Sequence, residues 1–156
     1  LQDPYGMTFW PEFKGRDGCR TPMPWTSGEY GGFSTTKPWL PVPDSHKQKA
    51  VAHQEQDSAS VLNGFRQFLA WRKQFPALVA GSIRFLDTAE PVLAFERELD
   101  GQKLLVAFNL SNQPVSQALA VTGNISALGE HGLVSGDMAG TVLNLPPYGS
   151  FYGQVQ

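Results

Sequence analysis

A mainly β chain is expected: an antiparallel β-sandwich towards the C-terminal end, preceded by one α-helix and a long irregular loop. Three observations lead there. Residues 1–57 hold seven of the twelve prolines and three of the four tryptophans, with neither helical nor strand periodicity. Residues 58–75 carry apolar side chains at helical spacing, and from residue 81 the period changes to two. Disorder normally comes with few aromatics, so the first stretch is expected to pack irregularly rather than to float.

The helix reading rests on Val61, Leu62, Phe65, Phe68, Leu69, Arg72 and Phe75, an i, i+3, i+4, i+7 row in which Arg72 is the polar exception. Asp57 or Ser58 is expected to cap it by accepting an orphan amide. Arg72 and Lys73 suit the negative end of the helix dipole, and Pro76 is expected to stop it. Gly64 costs about 1 kcal/mol against alanine in mid-helix, so a close contact is expected there.

The strands are expected at 83–86, 92–97, 104–108, 118–121, 141–145 and 150–152. Turn formers separate them: Asp100-Gly101, Ser111 to Pro114, Thr122-Gly123-Asn124, Ser135-Gly136-Asp137 and Pro146 to Gly149. Asp-Gly tolerates positive φ and signals a hairpin. Residues 104–108 are apolar on both faces and read as a central strand. Many short strands with regular turns favour a sandwich or barrel.

Composition narrows the function classes. The chain has 156 residues, a net charge of −2 and one cysteine, Cys19. No basic excess supports a nucleic-acid or anionic-membrane partner. No apolar run reaches membrane-spanning length and no signal peptide is visible, so a cytoplasmic location is expected. Residue 1 is leucine inside a Pro/Gly/aromatic stretch, so a segment upstream is expected. His46, His53 and His131 lack spaced Cys or carboxylate partners, so no metal site is expected and each histidine reads as surface or satisfied. No cofactor motif occurs. Glu29, Glu55, Asp57, Glu96 and Glu98 are expected on exposed loops or strand faces.

One segment stands apart: Gly15-Arg16-Asp17-Gly18-Cys19-Arg20-Thr21-Pro22-Met23-Pro24-Trp25. Two arginines and an acid lie within five residues, followed by a stiff stretch that proline bars from helix. Arginine binds carboxylates and vicinal hydroxyls through a fixed fork. Trp10 and Trp25 suit a sugar face or a core, with core packing favoured.

These residues carry a resemblance. Asp3-Pro4-Tyr5-Gly6, Phe9-Trp10-Pro11 and the Gly15–Trp25 loop resemble the segment after the last barrel strand in α-glucosidases of the α-amylase superfamily, near oligo-1,6-glucosidases and trehalose synthases. Gly32-Phe33, Pro38-Trp39-Leu40, Gln56-Asp57-Ser58, Trp71-Arg72-Lys73 and Gly81 extend it over the chain. The resemblance implies the remnant of the end of a (β/α)8 barrel: residues 1–57 as the loop after its last strand, 58–78 as its last helix, and 79–156 as the C-terminal antiparallel β-domain. It implies a retaining glycosidase acting on terminal α-linked glucose of oligosaccharides, with two closely spaced carboxyl groups. No residue here matches those carboxylates, so none is assigned as catalytic and the chain alone is expected to be inactive. Arg16 resembles the arginine that pairs with an upstream Asp and holds the terminal glucose, and Arg20 is its companion as a candidate substrate-binding residue. The implied partners are the oligosaccharide and the upstream barrel, with self-association through the exposed helix face also expected. Two alternatives stay open: a non-catalytic carbohydrate-binding or interaction module, and an enzyme that transfers or isomerises glucosyl units.

Overall fold

The computed structural model describes residues 2–156. Contacts divide the chain into two units, residues 1–63 and 64–156. In the first, the expected irregular stretch contains short regular pieces: α1 (Pro4–Thr8), a 3-10 turn (Asp17–Cys19), α2 (Asp44–Lys47) and α3 (Val51–Gln56). None is long enough to show a periodic apolar face, which is why pattern alone reads them as loop. Asp3 caps α1 by accepting the Tyr5 amide at 3.1 Å, and Pro4 opens the helix. The first amides of α3 have no partner within the helix. Val51 and Ala52 donate instead to the carbonyls of Pro24 and Trp25 at 3.1 and 3.0 Å, so the proline-stiffened loop seats the helix. Leu40, Ala50 and Pro22 are buried apolar residues here.

Helix α4 spans Val61–Arg72, starting three residues later and ending three earlier than the expected 58–75. The cap explains the later start. Asp57 accepts the Ala59 amide at 2.9 Å in a turn of its own, and Ser60 Oγ accepts the Asn63 amide at 3.2 Å. The capping expectation for Asp57 or Ser58 is therefore corrected to Ser60. Pro76 does more than stop α4: it opens α5 (Pro76–Ala80), where its missing amide is no loss. A Cβ at Gly64 would meet nothing within 4 Å, so the close contact expected there is absent.

The second unit holds two antiparallel sheets. Strands β1 (Ser82–Phe85), β2 (Val92–Leu99), β3 (Gln102–Asn109), β5 (Ile125–Ala127) and β8 (Ser150–Val155) form one, in the order β1-β2-β3-β8-β5. Strands β4 (Val115–Ala118), β6 (Asp137–Ala139) and β7 (Val142–Leu145) form the other, in the order β4-β7-β6. Asp100 and Gly101 join β2 to β3 with φ of 50° and 82°, the double positive φ of a type I′ hairpin. β3 sits at the centre of its sheet and buries both faces. Leu105 and Ala107 meet Leu143, Leu145 and Phe151 between the sheets. Leu104 and Val106 meet Trp71, Leu78 and Tyr152 on the opposite face.

Three expectations change here. The strand expected at 118–121 lies at 115–118, directly after Pro114. β5 follows directly on the turn expected at 122–124 and β6 begins at the last residue of the one expected at 135–137, where no strand was expected. Glu96 is 5% exposed rather than solvated. It follows Val92 and Ala94 in the inward row of β2, and two cations make that tolerable: Arg84, opposite it on β1, binds its Oε2 through Nε at 3.1 Å, and Lys103 approaches the same oxygen at 3.0 Å. No helix is long and apolar enough to cross a membrane among the described residues.

Candidate functional site

The Arg16 loop is built by a chain crossing. Residues 2–6 run against residues 14–17 so closely that a Cβ on Gly6 would lie 2.9 Å from the Lys14 carbonyl. At the crossing Gly15 adopts φ +76°, a region that disfavours side chains. The crossing brings two carboxylates into reciprocal use. Asp3 Oδ2 accepts the Arg16 amide at 2.8 Å and Arg16 Nε at 3.1 Å. Asp17 Oδ2 accepts the amides of Gln2 at 2.6 Å and Asp3 at 3.3 Å. Asp17 Oδ1 is buried without a partner among the described residues.

Asp3 is 1% exposed, yet every bond it makes favours its charged form. The Arg16 side chain beside it, then the Arg16 amide, hold its carboxyl below the usual range against the opposing effect of burial. The Arg16 side chain is 55% exposed. Among the described residues its guanidinium bonds through Nε alone, which leaves both Nη groups without a protein partner there.

Arg20 behaves differently. It closes the 3-10 turn by donating its amide to Asp17 at 3.0 Å, and its side chain is exposed with no ion pair or hydrogen bond among the described residues. It forms no bond to Arg16. Cys19 is exposed, and its thiol donates to the Arg16 carbonyl at 3.0 Å. Trp10 and Trp25 are 56% and 52% exposed, so core filling does not describe them in this unit. Tyr5 stacks on Phe9 at 6.0 Å in the same aromatic-rich surface. Beside Tyr30, the Glu29 carboxylate accepts its hydroxyl and raises its pKa above the usual phenol value.

Arg16 was legible in the sequence as a candidate. The partner that Asp3 supplies was not, because the expected partner lay upstream of this chain. A signal existed: an acid before Pro4, in the place of a helix N-cap, with Gly6 and Gly15 set to let two segments touch.

The histidines do not gather. Thr21 Oγ1 lies 3.4 Å from His46 Nδ1, and His53 Nδ1 lies 3.3 Å from the Gln48 carbonyl. His131 is buried in the second unit against Trp71 and Tyr152. The Leu133 amide donates to its Nδ1 at 3.2 Å, so that nitrogen carries a lone pair. Nε2 then holds the proton and faces Ser135 Oγ at 3.3 Å. Burial lowers the His131 pKa, consistent with a neutral ring. Among the described residues no carboxylate is hydrogen-bonded to the ring, so this pair is a packed hydrogen bond and not a catalytic dyad. Among the described residues no three His, Cys, Asp or Glu side chains gather as a metal site.

Comparison with known proteins agrees with this architecture. Residues 2–81 match the family described as alpha amylase, catalytic domain, and residues 83–152 match maltogenic amylase, C-terminal domain. The chain is 46% identical over 155 residues to a probable alpha-glucosidase of Rhizobium meliloti (strain 1021), covering 99% of this chain and 28% of that protein. It is 39% identical over 101 residues to trehalose-6-phosphate hydrolase of Escherichia coli (strain K12), covering 64% of this chain and 18% of that protein. The solved structure of the alpha-glucosyl transfer enzyme XgtA superposes with a TM-score of 0.92 at 52% identity, over 100% of this chain and 29% of that one. The chain thus spans under a third of the length of these relatives. With a family match over more than half of its residues and a β-domain match over most of the remainder, the chain belongs to the alpha-amylase family.

Proposed function

We propose that this chain is the C-terminal part of a retaining α-glucosidase that removes terminal α-linked glucose from oligosaccharides. In this reading residues 1–57 are the loop after the last barrel strand, 58–78 the last barrel helix and 79–156 the C-terminal β-domain. The catalytic carboxylates lie outside the chain, which is inactive by itself. Arg16 binds hydroxyls of the terminal glucosyl unit, and Arg20 lines the same pocket. The partners are the oligosaccharide and the barrel, with a second copy meeting exposed Phe65 on α4. The single cysteine suits a reducing compartment, and the cytoplasm is the proposed location.

The observation that carries the reading is Arg16 itself. A half-exposed guanidinium tied down at Nε, with both Nη groups unpartnered among the described residues, is a pre-oriented fork for a vicinal diol. In the whole enzyme, Arg16→Ala removes charge-assisted hydrogen bonds worth about 1.5–3 kcal/mol, or roughly 10- to 150-fold in kcat/KM. Steady-state hydrolysis of an aryl α-glucoside measures it, and wild-type kinetics would remove Arg16 from the pocket. A second reading, glucosyl transfer, is favoured by the similarity to the alpha-glucosyl transfer enzyme. Product analysis with a sugar acceptor separates the two: free glucose marks hydrolysis, and a lengthened saccharide marks transfer.

A further inference from the structure

We propose that Asp3 is a positioning residue for Arg16: its buried carboxylate grips the guanidinium at Nε and turns the two Nη groups towards a pair of sugar hydroxyls. The inference rests on the reading of Arg16 as a sugar-binding group and deepens it.

The argument starts from the cost of the charge. An ionised carboxylate buried to 1% exposure is unfavourable unless its oxygens are matched by donors. Asp3 has three. Oδ1 accepts the Tyr5 amide, while Oδ2 accepts the Arg16 amide and Nε. Capping a five-residue helix needs no charge, since serine, threonine or asparagine caps as well. Among the described residues the guanidinium is the one partner of Asp3 that needs the negative charge.

The choice of nitrogen matters as much as the pairing. A carboxylate that took both Nη groups of Arg16 would use up the fork. Binding at Nε leaves four N–H donors on the two Nη groups. The backbone is fixed along with the side chain, because the same Oδ2 accepts the Arg16 amide. Asp17 completes the clamp from the other strand of the crossing through the amides of Gln2 and Asp3. Arg16 is thereby held at two points, so little side-chain entropy remains to be lost when a ligand binds.

Asp3→Asn tests this. Its amide oxygen keeps the cap on Tyr5, but an NH2 group replaces the acceptor for Arg16. Asp3→Ser, a neutral cap without reach to Arg16, serves if Asp3→Asn does not fold. The first readout is the Arg16 Nε–H signal in the NMR spectrum of the 156-residue chain. Among its six arginines that signal is identified by its loss in Arg16→Lys. In Asp3→Asn it is expected to exchange with water at least tenfold faster, while the Tyr5 amide keeps its protection. Unchanged Nε–H exchange overturns the proposal.

The second readout is kinetic, in the whole enzyme. Asp3→Asn is expected to raise KM about tenfold with kcat within about twofold, and the double variant with Arg16→Ala is expected to be no worse than Arg16→Ala alone. Effects that add in the double variant overturn a role through Arg16. If Arg16→Ala alone leaves the kinetics unchanged, the sugar reading fails, and the Nε–H exchange still decides whether Asp3 holds Arg16.

Discussion

Replacing Trp71 by alanine tests how the second unit is held together. Trp71 is 5% exposed at the end of α4. Its ring meets Phe75 at 4.8 Å, Tyr152 at 4.9 Å, His131 at 5.3 Å and Phe68 at 6.0 Å. Large-to-small aromatic substitutions in cores cost about 3–5 kcal/mol, and the cost grows with the cavity that fails to collapse. Collapse is restricted here, because Tyr152 belongs to β8, which is hydrogen-bonded to both β3 and β5. A loss of about 4 kcal/mol is therefore expected for Trp71→Ala. At about 2–4 °C per kcal/mol for a chain of this size, that lowers Tm by roughly 8–16 °C. Trp71→Phe keeps a ring among the four neighbours and is expected to lose roughly a third as much. Calorimetry gives the Tm. Trp71 is the one tryptophan in residues 64–156, so loss of its fluorescence follows that unit, while Trp10, Trp25 and Trp39 report on the other. A fall in Tm below about 3 °C, or equal losses for the alanine and phenylalanine variants, would refute this account of the core.

Two further outcomes follow from buried titratable groups. His131 has a folded pKa below its ordinary 6.5, so the unfolded chain binds more protons as pH falls through that value. Stability present above pH 6.5 is expected to decline below it, and urea titrations between pH 7.5 and 5 should show a shallower decline for His131→Gln; equal slopes would exclude His131 as the cause. Glu96→Gln is expected to cost about 1–2 kcal/mol in urea unfolding, near the low end for a charged hydrogen bond, because Arg84 and Lys103 retain access to water. Glu96→Leu, in line with Val92 and Ala94, is expected to match or exceed the glutamine variant in stability, and a leucine variant weaker by more than 2 kcal/mol would contradict that reading.

What the sequence disclosed depended on whether a signal was local. β3 was legible because five consecutive apolar residues have no other home than a strand covered on both faces. The β2–β3 turn was legible because Asp100-Gly101 names its own backbone angles. β5 and β6 were not: Ile125-Ser126-Ala127 and Asp137-Met138-Ala139 are too short to alternate, and only their pairing with β8 and β7 makes them strands. Glu96 was misread because charge suggests an outer face, whereas its inward position depends on Arg84 one strand away. Arg16 stood out through its motif. Asp3 did not, since its role exists only once residues 2–6 and 14–17 have met.

That meeting has a consequence for how such a loop changes over time. Among the described residues, the bonds that orient Arg16 begin and end within residues 2–17. The arrangement is a self-contained cassette: residues beyond Arg20 are free to lengthen, shorten or diverge without disturbing the aim of the guanidinium. A glycine-to-alanine change at position 6 or 15, which adds no charge and removes no hydrogen bond, would instead spoil that aim from within.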